Sequence, residues 1–215
     1  FHGWFAALLR AAPLSLLQSL GLPPSYELQQ DDAPLIERTW PRFFAVVAGD
    51  AALQADFFAS VADIGRHNTL EALRKAAAKR VEFTLADEAG VVDASVEPLA
   101  TRFPDLADVD DPLDWLVQAD GPRRILIAAA RALGAAGQKK AQKAAGELEQ
   151  ALHADSPSAV NAVAALRTQK GEPRKLGDAV DGLEAVQAAH ALIERVQQAQ
   201  RQQRAWAHHQ RMVRL

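Results

Sequence analysis

Apolar residues recur at helical spacing through almost the whole of this 215-residue chain, and no stretch joins β-branched enrichment to strict alternation. A chain patterned in this way has stripes to bury rather than sheet faces. The expected fold is therefore all-α: a multi-helix domain with long helices and an irregular acidic insertion. Aromatic residues make up only 6% of the chain, so alanine and leucine must fill most of the core. Cysteine is absent, which excludes disulfides and thiolate metal sites and suits a reducing, cytoplasmic setting. No apolar run approaches the roughly 20 residues that span a bilayer, so no membrane partner is expected. The first helix also lacks the basic flank and cleavage site of a signal peptide.

Punctuation divides the pattern. A first helix is expected from about His2 to Leu20, with Phe5, Leu8, Leu9, Leu16, Leu17 and Leu20 on one side and Pro13 bending or splitting it. "GLPPSYELQQDD" reads as a loop ended by Asp32 as N-cap, and "APLIERTWPRFFAVVAG" as the next helix. Gly49 and Asp50 then lead into "AALQADFFASVADIG". Asn68 or Thr69 is the expected cap of "HNTLEALRKAAAKRVEF". The stretch 84–120, broken by Pro98, Pro104 and Pro112, is expected as short helices joined by turns. One long helix is expected from about Pro122 to His153, with Gly134 and Gly137 weakening its middle or allowing close packing. "SPSAVNAVAALRT" as a capped short helix, a loop "QKGEPRKLGD" and a last helix from Gly182 to Leu215 complete the chain. The Gln-rich tract of that last helix has little to bury.

Charge is unevenly spread behind a net of −3. Residues 84–120 carry ten acids against Arg102 alone, whereas 121–215 carry fifteen bases against eight acids. Such asymmetry points to a polyanion-facing surface in the second half or to solvated helix faces of opposite sign.

Catalytic patterns are missing from the sequence: it has no GxxxxGK[ST], no GxGxxG, no GxSxG and no HExxH. His190 and Glu194 have helical i,i+4 spacing, but a pair without further ligands is an ordinary surface contact. His208 and His209 are neighbours on a helix and point about 100° apart. Asp110 and Asp111 read as turn and cap residues before Pro112. Neither a metal site nor a cofactor site is expected in these residues.

Binding patterns are richer. "LRTQKGEPRKLGD" places Arg167, Lys170, Arg174 and Lys175 around Gly171 and Pro173. A turn whose amides are freed by Gly171 and flanked by four cations suits phosphate contacts; a solvated basic turn is the alternative. Arg195, Arg201, Arg204, Arg211 and Arg214 stud the last helix, and "RKAAAKR" covers an earlier one.

Four stretches of the chain resemble segments of a known family. "FHGWFAALLRAAP" is similar to the segment of UvrD-like superfamily 1 DNA helicases in which a Thr-Phe-His triplet leads into a helix ending Leu-Leu-Arg. Phe1, His2, Leu8, Leu9 and Arg10 match that segment. "RTQKGEPRK" resembles a Thr-x-x-Gly-x-Pro-Arg loop of the AddA/RecB-like helicase-nucleases. "YELQQDDAPLIERTWPRFF" and "RAWAHHQRMVRL" resemble the segments entering and leaving the 1B subdomain. The resemblance implies that 1–215 is one helical domain of the 1B type: 1–20 ends a motor-domain motif and holds the first helix, 84–120 is the acidic segment and 121–215 the basic part. It implies a parent that unwinds DNA with ATP and Mg, neither held by these residues, in DNA repair and recombination. The expected partners are DNA, as single strand and duplex backbone, the remaining helicase domains, and a partner subunit. His2 and Arg10 are placed by it beside the DNA. Arg167, Lys170, Arg174 and Lys175 are assigned to backbone phosphate by their charge and loop type. The alternative is an all-α interaction module that docks a partner subunit through the acidic segment or the last helix.

Overall fold

The structure, a computed structural model, describes residues 2–22, 33–152 and 157–215. Among the described residues there are fourteen α-helices and one 3-10 turn, and the only β pairing is an isolated bridge. The expected all-α class is what the chain adopts. From sequence, 1–215 is one domain; the contacts gather into two compact units, Phe1–Ala86 and Asp87–Arg214.

The first unit holds α1 (His2–Ala11), α2 (Leu14–Ser19), α3 (Ala33–Gly49), α4 (Ala51–Ile64), α5 (Arg66–Ala78) and most of α6 (Arg80–Glu88). Pro13 splits the expected first helix: at φ −60° and ψ 139° it stands outside the helical region and precedes α2. The expected loop and the Asp32 cap lie outside the described residues, as does the side chain of Phe5. Asp50 opens α4 as foreseen, its Oδ1 accepting from the amides of Ala52 (2.8 Å) and Leu53 (3.1 Å). Neither Asn68 nor Thr69 caps α5. Gly65, at φ +84°, precedes that helix, and the two side chains reach back instead. Asn68 Nδ2 donates to Ile64 O (2.8 Å) and Thr69 Oγ1 to Gly65 O (3.0 Å). Helix α3 runs through Pro41, at a cost of about 3 kcal/mol for a proline in a helix interior. Edge-to-face contacts offset part of that cost: Trp40 on Phe43 at 5.5 Å and Phe44 on Phe57 at 5.9 Å, each pair worth about 0.5–1.5 kcal/mol. Arg74 ties α5 to α3, pairing with Glu37 at 3.0 Å and lying over the Trp40 ring.

The second unit holds α7 (Val91–Ala94), α8 (Leu99–Arg102), the 3-10 turn Pro104–Leu106, α9 (Pro112–Gln118), α10 (Asp120–Ala135), α11 (Lys139–Leu152), α12 (Ala159–Leu166), α13 (Asp178–Asp181) and α14 (Glu184–Arg214). The acidic tract is the expected run of short helices, with Asp111 capping α9 through the Leu113 amide at 2.7 Å. The long helix expected over 122–153 is instead a pair that folds back on itself. Gly137, at φ +72°, takes the left-handed conformation that ends a helix. Gly134 then faces Ala145, whose Cβ would lie 3.8 Å from one added there, and Arg123 near the start of α10 donates to Leu152 O at the end of α11 (3.0 Å). The core fills the space among α9, α10, α11, α12 and α14, with Leu116, Leu126, Leu133, Leu148, Leu166 and Ile193 fully buried.

A smaller cluster of Leu99, Phe103 and Leu106 closes on Ala199 of α14. The Gln-rich tract therefore does bury a surface, and its polar side chains complete the contact. Gln203 Nε2 donates to Asp110 O (2.9 Å), Gln202 Nε2 to Glu97 O, and Arg195 pairs with Asp105. The acidic tract lies along the last helix because of these bonds.

At Gly137 nothing lies within 4 Å of an added Cβ, so Gly137→Ala isolates the backbone penalty. It should lower unfolding free energy by about 1 kcal/mol, measured by urea denaturation; an unchanged midpoint would show that the α10–α11 corner relaxes.

Candidate nucleic-acid interface

The loop after α12 is built from its sequence. Ser158 caps α12 by accepting from the Asn161 amide (3.3 Å), and the buried Ala162, Ala165 and Leu166 seat the helix on the core. Arg167 leaves it in extended conformation, at φ −121° and ψ 151°. The chain then reverses over Thr168–Gly171: the Gly171 amide donates to Thr168 O (2.9 Å) with Gly171 at φ +81°. Such a tight hairpin loop ends on a left-handed glycine. Thr168 N to Glu172 O (2.8 Å), Arg174 N to Leu166 O (2.9 Å) and the bridge of Arg167 with Pro173 close the ladder.

Arg167 holds this hairpin in place. The side chain is 7% exposed, its Nη1 donating to Gly171 O (3.0 Å) and its Nη2 to His190 O on α14 (2.8 Å). Glu194 Oε2 stands 3.9 Å away. Taking a guanidinium out of water costs several kcal/mol; two charged hydrogen bonds of about 1.5–3 kcal/mol each offset this. What they secure is the position of the turn against the last helix. His190, half-buried beside that guanidinium, has its pKa lowered, first by burial and then by the charge of Arg167, with Asp181 acting the other way.

The expected phosphate ligands fare differently. Arg167 is turned into the protein and is not presented to a ligand, because the side chain is buried and two of its donors are held by backbone carbonyls. The amides thought to be freed by Gly171 are also engaged: Gly171 N bonds Thr168 O, and Glu172 N bonds Thr168 Oγ1 (3.2 Å). Arg174, half-buried, pairs with Glu147 at 2.9 Å. Lys170, at the tip, and Lys175, past the exit, are exposed, and neither has an ion-pair partner among the described residues. Arg10 is exposed in the last turn of α1, within the first unit, and the His2 side chain lies outside the described residues.

Which arginines of α14 are free was not readable from sequence. Arg195 is neutralised by Asp105. Arg201 and Arg204 are exposed and without an ion pair among the described residues; their i,i+3 spacing puts them on one face. Gln202 and Gln203 between them turn to the acidic tract. Trp206, 37% exposed, lies within a helical turn of Gln202 and Gln203. No group of three or more His, Asp or Glu side chains able to hold a metal is present among the described residues, and no single helix is long and apolar enough to cross a membrane. No protein-family model, curated protein or solved structure matches this chain.

Two outcomes follow from Arg167. Arg167→Met should lower stability by about 2–3 kcal/mol by removing its charged hydrogen bonds, read by chemical denaturation; a loss under 0.5 kcal/mol, the usual surface range, would show that the hairpin holds itself. His190 resists protonation only in the folded chain. Below the ordinary value of 6.5 the unfolded chain binds the proton that the folded one refuses, so stability is lost as pH falls through that value and is fully present above it. His190→Gln should therefore flatten the acid-side decline of the melting temperature; a superimposable pH profile would remove His190 as its source.

Proposed function

We propose that this chain is a DNA-contacting accessory subdomain of an ATP-dependent DNA helicase of the UvrD-like, AddA/RecB type, acting in repair and recombination in the cytoplasm. ATP and Mg belong to the remaining domains of such a parent, since these residues carry no phosphate-loop motif. The observation that carries the reading is the hairpin fixed by a buried arginine, which holds Lys170 and Lys175 in solvent without carboxylate partners. Cations with no internal partner are the ones able to displace condensed counterions from a phosphate backbone, and here they stand on a turn whose position is set by the core. Exposed Arg201 and Arg204 extend the set. Arg167 becomes a positioning residue in this reading, and Arg174 is shared with Glu147.

A second reading, an interaction module that docks a partner subunit, has its own observation. In the first unit only Leu17, Val47 and Leu73 are buried apolar residues among those described, whereas Phe58 is 63% exposed and Leu14, Leu20, Val81 and Leu85 are comparably bare. Where such residues adjoin, apolar surface marks protein contacts. Within a larger assembly both readings hold together.

Fluorescence anisotropy with labelled single-stranded DNA over a salt series tests the first. Lys170→Glu with Lys175→Glu should weaken binding alike for all sequences and lower the salt slope by about 1.4, or 0.7 per lost contact on single strands. Absence of binding at low salt, or a slope untouched by the double variant, rejects it.

A further inference from the structure

A cleft of about 630 Å³ opens on the side of the α10–α11 pair, within the size range of small-molecule sites. Its floor is apolar, from Ile127, Ala130 and Leu152, and its rim carries Arg123 and Arg131 on α10 facing Glu149 and Gln150 on α11. Arg123, Ile127 and Arg131 follow each other at i, i+4 and i+8, so they form one row about 12 Å long. Arg131 is exposed and unpaired among the described residues, and the shielded Nε of Arg123 has no partner there.

Gly146 lines the same cleft. It sits in the middle of α11, where glycine is the poorest helix former after proline. Packing does not require it, since nothing lies within 4 Å of an added Cβ. The neighbouring Gly134 is different, with Ala145 against it. Gly146 therefore weakens its helix without making room for any part of the chain, and what it leaves is open space between the two walls.

We propose that this cleft binds a small anionic amphiphile, a medium-chain carboxylate, whose tail lies on Ile127, Ala130 and Leu152. The headgroup pairs with the guanidinium of Arg131, and Arg123 supplies a second donor. Charge complementarity selects the anion: among the described residues the rim holds two guanidinium groups against one carboxylate, Glu149. The site is separate from the hairpin and does not depend on the nucleic-acid reading.

Titration of the isotope-labelled full chain with octanoate, followed by amide chemical shifts, tests this. Saturable shifts are expected at Ile127, Gly146 and Gln150. Arg131→Gln should weaken binding about tenfold, and octanol should bind more weakly than octanoate. Arg123 makes a poor probe because it also holds Leu152 O. Gly146→Met is the discriminating variant: it should fill the cleft and abolish binding while the melting temperature stays level or rises. Shifts that do not saturate, that fall only in the first unit, or that survive Gly146→Met overturn the proposal. So does equal binding of octanol.

Discussion

Everything in the second unit hangs on one buried stripe. Val186, Ala189, Ile193, Val196 and Ala199 recur along α14 at three- and four-residue spacing, all fully buried. Each large member gains about 1.5–3 kcal/mol from burial. The first four close the core made with α9, α10, α11 and α12, and Ala199 carries the same stripe into the cluster under the acidic tract. Because one helix serves both clusters, the basic hairpin and the acidic tract are referred to the same axis. Arg167 reaches α14 at His190, and Asp105 reaches it at Arg195, a little over one turn on.

That arrangement changes what the charge asymmetry means. The acids of 84–120 and the bases after 121 are partly each other's partners. Asp105 takes Arg195, and within the basic half Glu147 takes Arg174 while Arg167 goes inside. Exposed ion pairs of this kind contribute little to stability, typically 0–1 kcal/mol. Their larger effect is subtractive: they remove cations from the set available to a polyanion. Of the cations on the hairpin and the last helix, Lys170, Lys175, Arg201 and Arg204 remain exposed and without an ion pair among the described residues, fewer than the sequence displays there.

The two units differ in how completely they close. In the second, burial of leucine and alanine side chains is nearly total along five helices. In the first, a proline-bearing helix and an aromatic cluster are held by edge-to-face contacts and by Arg74, with much apolar surface left bare. A segment that buries so little of its apolar surface gains little stability of its own.

Much of the fold was legible in the sequence because it is local. Helical periodicity, the Asp50 and Asp111 caps, and the break at Pro13 all depend on residues within one or two turns. Two local signals resolve differently in the fold: Gly137 is the left-handed end of α10 and not a weak residue inside a longer helix, and Asn68 and Thr69 bond backwards to Ile64 and Gly65 and do not cap α5. Of the candidate site, the turn at Gly171 and the solvent-facing Lys170 were readable, since a glycine-ended hairpin follows from its own residues. The fate of Arg167 was not. Nothing in "ALRTQKG" shows that the guanidinium finds a carbonyl 23 residues away on α14. Nor does the Gln-rich tract show that its amides meet carbonyls more than 90 residues back. The sequence by itself determined the helices, their ends and the places where charge is concentrated, because these follow from spacing along the chain. Only the tertiary structure decided which charges are cancelled, which are buried and which face water, because that depends on groups that folding alone brings together.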